Sequence, residues 1–203
     1  MDKVRLGLAS VDILSVVRGL PSETSTVAEA IRTTNPNVVA LSIGSEELQT
    51  LRAYHGGPLE PENFEEEIYV AGLSAWEPPV KPPPCFTEAV RIADKRGTRL
   101  EALDMDEVTY TENYVDCVST LEVIFQGRRE RKLANKRFDA KTPQDFVLAW
   151  DAEVNGPPGF ARLQARREAY MATRLRQIAD SESSVLALIE VERSRGVLAA
   201  LRG

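Results

Sequence analysis

Apolar residues along this chain recur with two periods, and the switches between them predict alternating strands and helices. Val4 to Val11 (VRLGLASV) reads as a first short strand containing Gly7, while Asp12 to Gly19 fits neither period cleanly. Pro21 and its polar neighbours make Leu20 to Thr24 a loop. Thr26-Val27-Ala28-Glu29 has capping-box spacing, so a helix is predicted from Thr26, with Val27, Ala30 and Ile31 facing inward. Asn35-Pro36-Asn37 stops it. Val38 to Ile43 (VVALSI) is an apolar run of strand length, as expected for a strand buried on both faces. Ser45 to Tyr54 returns to helical spacing through Leu48 and Leu51. Strand, helix, strand, helix is the order that builds a mostly parallel sheet covered by helices.

Residues 55–85 interrupt the alternation. They hold Gly56-Gly57, the acidic Glu65-Glu66-Glu67 and the proline-rich stretch Trp76 to Pro84 (WEPPVKPPP), with Ile68 to Ala71 as a short strand candidate. A long surface excursion or lid is predicted, its prolines acting as a stiff spacer or as a polyproline II docking element. Phe86 to Arg96 is amphipathic, with Gly97 as C-cap. Thr98 to Leu103 reads as a strand ending at Asp104. Tyr114 to Gln126 carries Val115, Val118, Leu121, Val123 and Ile124, and reads as one buried helix. Pro143 to Asp151 begins another helix, capped by Thr142, and Asn155 to Gly159 is a turn. Arg162 to Leu201 reads as helix, buried strand, tight turn and short helix. The expectation is one α/β domain over residues 1–203, a mixed, mostly parallel sheet flanked by helices, with 55–85 inserted in it.

Composition narrows the chemistry. The net charge of −6 and pI near 5.1 argue against nucleic acid and anionic membranes as partners. No apolar run approaches the roughly 18 residues of a membrane span, and the first residues lack a signal-peptide core, so a cytoplasmic protein is expected. Cys85 and Cys117 form no zinc-type pair and read as buried thiols. The single histidine, His55, would have to serve any Ser-His or Cys-His mechanism, and a zinc site with two histidines cannot be built from one chain. Phosphate-loop, dinucleotide and EF-hand patterns are absent. Asp104, Asp106 and Glu107 follow a predicted strand, where parallel sheets place ligands, so a carboxylate site for a metal or a general base stays open. The basic run from Arg128 to Arg137 puts Arg128, Lys132 and Lys136 on one helix face, either solvated or in contact with phosphate.

Several segments, taken in order, resemble the TraB/PrgY/GumN family, which includes the Tiki proteases. Gly7-Leu8-Ala9-Ser10 stands where that family has a Gly-x-x-His motif, and Pro36 to Arg52 (PNVVALSIGSEELQTLR) where it has a strand ending in acidic residues. Glu88 to Asp104 resembles its middle helix and strand. Arg166 to Leu175 (RREAYMATRL) and Ser184 to Leu198 (SVLALIEVERSRGVL) resemble its last helix, strand and glycine turn, best at Tyr170-Met171-Ala172, Leu175 and Gly196. The resemblance implies a metal-dependent hydrolase fold. At its ligand positions, however, stand Ser10, Ser42, Arg166 and Arg193, with Cys85 at a further acidic position; only Asp104 and Glu168 keep a carboxylate. Serines and arginines do not hold a divalent cation. The reading is therefore a degenerate, non-catalytic TraB-like protein with no metal and no cofactor, binding a ligand or protein partner. Two alternatives stay open: a carboxylate-based metal-dependent hydrolase using Asp104, Asp106, Glu107 and Glu168, and an anion or nucleotide binder using Arg166, Arg193 and Arg195. The candidate cleft is Ser10, Ser42, Asp104, Arg166, Glu168, Arg193 and Arg195, five of which (Ser10, Ser42, Asp104, Arg166 and Arg193) should meet if the resemblance holds. A homo-oligomer is a further option that the sequence does not locate.

Overall fold

The computed structural model describes residues 1–57, 64–134 and 136–203. Its centre is a five-stranded sheet built from β1 (Asp2–Leu6), β2 (Ala9–Val16), β3 (Val38–Leu41), β4 (Arg99–Ala102) and β5 (Ser184–Glu190). The spatial order is β1-β2-β5-β3-β4. β2, β5, β3 and β4 run parallel, and β1 is an antiparallel edge. The expected α/β class, with a mixed, mostly parallel sheet, is what the chain forms.

Side-chain alternation splits the core in two. Leu14, Val16, Val39, Leu41, Leu186 and Leu188 face one side. They are covered by α1 (Glu23–Thr34), α2 (Ser45–Ala53) and α4 (Pro84–Arg96) through residues such as Ile31, Leu48, Phe86 and Ala93. Val11, Ile13, Val38, Ala40, Val185, Ala187 and Ile189 face the other side, under α8 (Pro158–Ala179) and α9 (Val191–Arg202). Burial on both faces explains why VVAL and VLALI are continuous apolar runs. A third cluster joins Val17 and Leu20, just past β2, to Tyr69 and Leu73 of α3 (Phe64–Leu73), Leu133 of α6 (Thr120–Leu133) and Phe146, Val147 and Trp150 of α7 (Pro143–Val154). These helices roof the carboxyl end of β2. A smaller cluster seats Cys117 of α5 (Glu107–Cys117) and Val118 on Phe160 and Leu163 of α8.

Several expected elements form differently. Val4 to Val11 is not one strand but a hairpin, with Leu6 opposite Ala9 across the two-residue turn Gly7-Leu8. Gly7 has φ 59 and Leu8 has no positive φ, the pattern of a II′ turn, which calls for glycine at its first central position. Asp12 faces Lys3 in register at 3.5 Å and is thereby tolerated as a buried acid. The first helix starts at Glu23, one turn before Thr26, so the capping box is not used. Glu29 instead accepts from Arg32 Nε at 2.8 Å. Ile68 to Ala71 is helical: Tyr69 and Leu73, four apart, bury one face of α3.

Residues 58–63 of the expected lid lie outside the described residues. The described part of 55–85 is tied down, with Val80 N–H donating to Gly19 O at 2.8 Å and Ser22 N–H to Glu77 at 3.2 Å. Tyr114 to Gln126 is not one buried helix. It breaks at Val118-Ser119 into α5 and α6, because Ser119 and Glu122 cap a new helix: Ser119 N–H donates to Glu122 Oε2 at 2.9 Å and Glu122 N–H to Ser119 Oγ at 3.4 Å. Val115, Leu121, Val123, Ile124 and Phe125 are exposed.

Candidate functional site

In parallel sheets ligands gather at the carboxyl ends of strands, where neighbouring strands send their connections to opposite faces. β5 meets that condition on both sides. β2 and β3 lead into α1 and α2 on one face, and β5 leads into α9 on the other. The charged residues of the chain concentrate here.

Arg18, two residues past β2, lies 3.0 Å from Glu190 Oε1 at the end of β5. Glu190 is buried, whereas the Arg18 side chain is 43% exposed. The Glu190 carboxylate, with Glu192 and Glu47 adding to it, holds the guanidinium firmly charged. Tyr69 O–H donates to Arg18 O at 3.2 Å, roofing the pair. On the other side of β5, Glu190 N–H donates to Ser42 Oγ at 3.1 Å. The expected site residue Ser42 is thus a buried strand-end clip. Glu192, in the first turn of α9, is pushed up to about 7 by burial and then by the neighbouring Glu190, against the opposing pull of Arg18.

A second pair follows β4. Asp104 is 8% exposed and accepts from Met105 N–H at 2.8 Å and from Arg167 Nε at 3.0 Å; Arg167 Nη2 also reaches it. Arg167 Nη1 donates to Gln164 at 2.8 Å, and the guanidinium lies 5.8 Å from the Tyr110 ring centroid. Burial works against the Arg167 charge, and the Asp104 carboxylate more than offsets it, so the group stays protonated. Glu47 links the two pairs: desolvation pushes it up, it feels both arginines, and it is repelled by Glu190 and Asp104.

The third centre lies between α8 and α9. Arg193 is 4% exposed and holds Glu168 at 3.1 Å, with Asp151 of α7 against its other nitrogen. Burial pushes Glu168 up, Asp151 adds to that, and Arg193 opposes both. Gly196 gives this pair its room. A Cβ there would stand 1.9 Å from Glu168 Oε2.

The expected cleft does not assemble as a whole. Ser42 and Asp104 reach the carboxyl end. Ser10 pairs with Ser184 at the first residues of β2 and β5, about 20 Å away at the rise of a strand, and the residue at the carboxyl end of β2 is Arg18 instead. Arg166 turns away to Asp116 at 2.6 Å and Asn113 at 3.2 Å, on the α5 side of α8. Glu168 and Arg193 pair with each other, and Arg195 is exposed. Asp106 caps α5 by accepting from Thr109 N–H at 2.7 Å, and Glu107 is exposed on that helix. The carboxylates of the hydrolase alternative therefore do not converge. Among the described residues, no group of three His, Cys, Asp or Glu is placed to hold a metal ion.

No protein-family model and no curated protein sequence matches this chain. Its fold and its charge network carry the functional argument. Among the described residues, no helix is long and apolar enough to cross a membrane. His55 is exposed after α2, and Cys85 and Cys117 are free, buried thiols, the first pushed up to about 12 by burial.

Sequence reasoning missed Arg18, Glu47, Asp151, Arg167, Glu190 and Glu192. One signal for Arg167 was present. Leu163, Arg167, Met171 and Leu175 are four apart, and the apolar three of them are buried on α8, so Arg167 lies on the inward stripe and Arg166 does not.

A cavity of about 370 Å³ between α2 and α8 over β4 is lined by Asp104 and Asp106, without Glu107 or Glu168, together with Ser45, Arg52, Glu101 and Arg174. Its two arginines are already placed against Asp94 and Glu101, each at 3.4 Å.

Proposed function

We propose that this protein is a non-catalytic α/β protein that acts by binding a partner, its carboxyl-end crevice given over to internal ion pairs; the TraB-like resemblance is not carried into this reading, since Ser10, Arg166 and Arg193 do not join Ser42 and Asp104 in one cleft. The observation that carries the reading is the pairing of Arg18 with Glu190, Arg167 with Asp104, and Arg193 with Glu168 and Asp151. A ligand crevice needs polar groups whose hydrogen-bonding capacity is left for the ligand, and these charges are paired with one another, Arg193 Nη2 lying against Asp151 without a hydrogen bond. The residues that carried the resemblance have structural roles. Met171 and Ala172 pack α8 on the sheet, and Gly196 makes room for Glu168. The arginines first considered for anion binding lend that alternative little support, since Arg166 and Arg193 are neutralised by acids.

The test is hydrolysis of peptide, ester and phosphate-ester substrates by the pure protein, with divalent metals and with chelator. No turnover above buffer is expected. Turnover abolished by Asp104→Asn or Glu190→Gln with the fold intact would overturn the reading.

A further inference from the structure

The charge network leaves one feature unexplained. Among the described residues, large exposed apolar side chains concentrate in α5 and α6: Val108 is 68% exposed, Val115 73%, Leu121 66%, Ile124 59% and Phe125 51%. On α6, Leu121, Ile124 and Phe125 share one face at i, i+3 and i+4, and on α5 Val108 and Val115 share one at i, i+7. Of the apolar residues of α6, only Leu133 is buried. A helix of 14 residues is marginal in water without a packed face; among the described residues α6 is held at its ends, by Glu122 accepting from Gly159 N–H at 2.6 Å and by Leu133 in the third cluster, while its middle packs no apolar face.

We propose that a second copy of this chain covers this face, in a two-fold symmetric dimer with α6 packed antiparallel against the partner's α6. Two observations select a second copy over another protein. The first is charge. The face that carries Leu121 and Phe125 continues along α6 into Arg128 and Lys132, both exposed, while α5, just before it, exposes Glu112 on the face of Val108 and Val115. A two-fold axis through Leu121 to Phe125 carries the basic half of each α6 past the partner's Leu121 toward its acidic α5. A surface that is acidic, apolar and basic in sequence is thus complementary to its own copy, which an isologous interface requires. The second is area: the five side chains leave on the order of 500 Å² of apolar surface in water, in the upper part of the range for a monomer and more than half of the roughly 800 Å² that each partner contributes to a standard interface. Arg128 stacked at 5.2 Å over the Phe125 ring supplies an aromatic–arginine pair of the kind found at interface centres.

The inference is independent of whether the crevice is catalytic, since none of its residues belongs to the ion-pair network. Sedimentation equilibrium on the full chain across the micromolar range tests it. A dimer is expected for the native sequence. Leu121→Glu with Phe125→Glu is expected to weaken it at least about hundredfold, as loss of central anchors does. The circular dichroism spectrum should lose at most the contribution of the 14-residue α6, the rest of the fold being kept. Leu148→Glu, an equally exposed apolar site on α7 (47%), is expected to leave the dimer intact. Arg128→Glu is expected to weaken it and Glu112→Arg in the same chain to restore it. A native chain that is monomeric throughout would overturn the proposal and assign the face to a different protein. A dimer indifferent to the α6 double substitution would overturn it equally.

Discussion

Replacing Arg193 by methionine removes the one cation that stands between two carboxylates. Arg193 is 4% exposed, and the side chains of Asp151 and Glu168 are 18% exposed each. Breaking a buried pair by deleting one partner costs about 3–5 kcal/mol, because the charge left behind has lost both water and counter-ion. Here the stranded acids keep some water, which places the cost near the lower end, about 3 kcal/mol. Against the 5–15 kcal/mol that holds a domain together, and at about 2–4 °C per kcal/mol for a chain of this size, the melting temperature should fall by roughly 10 °C. The deficit should also depend on pH. Glu168 is already pushed up by burial, with Arg193 opposing, so removing Arg193 raises it further. A carboxyl raised in the folded state contributes stability that is present at low pH and lost as pH rises through its folded value. Urea titration of Arg193→Met should therefore show a smaller deficit at about pH 5 than at about pH 8. Adding Asp151→Asn and Glu168→Gln should recover most of the loss, since no unpaired charge then remains. An Arg193→Met variant as stable as the native chain near neutral pH would refute this reasoning. It would mark Arg193 as a residue held at a cost for function.

Glu192 gives a second pH signature: with its folded value near 7 and an ordinary value of 4.5, stability should fall as pH rises from about 4.5 to about 7, by at most about 3 kcal/mol. Glu192→Gln should flatten that slope in urea titrations. Gly72→Ala would place a Cβ 2.0 Å from Phe146 Cζ, a ring already packed by Tyr69, Trp76 and Phe138; a loss of about 1–3 kcal/mol by thermal melting is expected. Ser42→Ala leaves the buried Glu190 N–H without its acceptor and should cost about 1–3 kcal/mol in the same assay.

The sheet was legible where burial makes one demand on every residue. Val38 to Leu41 and Val185 to Ile189 are buried on both faces, and their unbroken apolar runs say so. Legibility failed where a local signal and an apolar count disagreed. Leu121, Val123 and Ile124 look like core residues by composition, yet the Ser119–Glu122 capping box that starts a separate helix was readable in the sequence. The site failed for a different reason. The resemblance of Gly7 to Ser10 to a Gly-x-x-His motif put Ser10 in the cleft, and that stretch is instead the turn and start of β2, with Arg18 past its far end. Arg166 was chosen by its place in the resemblance, and the helical phase of α8 points Arg167 inward instead. The pairing of Arg18 with Glu190 is tertiary, created only when β5 inserts between β2 and β3, and no spacing along the chain announces it.

The central claim is that Glu190, Asp104, Glu168 and Asp151 are neutralised by the protein's own arginines. Elemental analysis of the pure chain, after incubation with excess zinc, manganese and magnesium followed by desalting, tests it most directly. The account expects no metal retained at the level of one ion per chain, and no change with Asp104→Asn or Glu190→Gln. One equivalent of a single metal, lost on either substitution while the fold is kept, would contradict it.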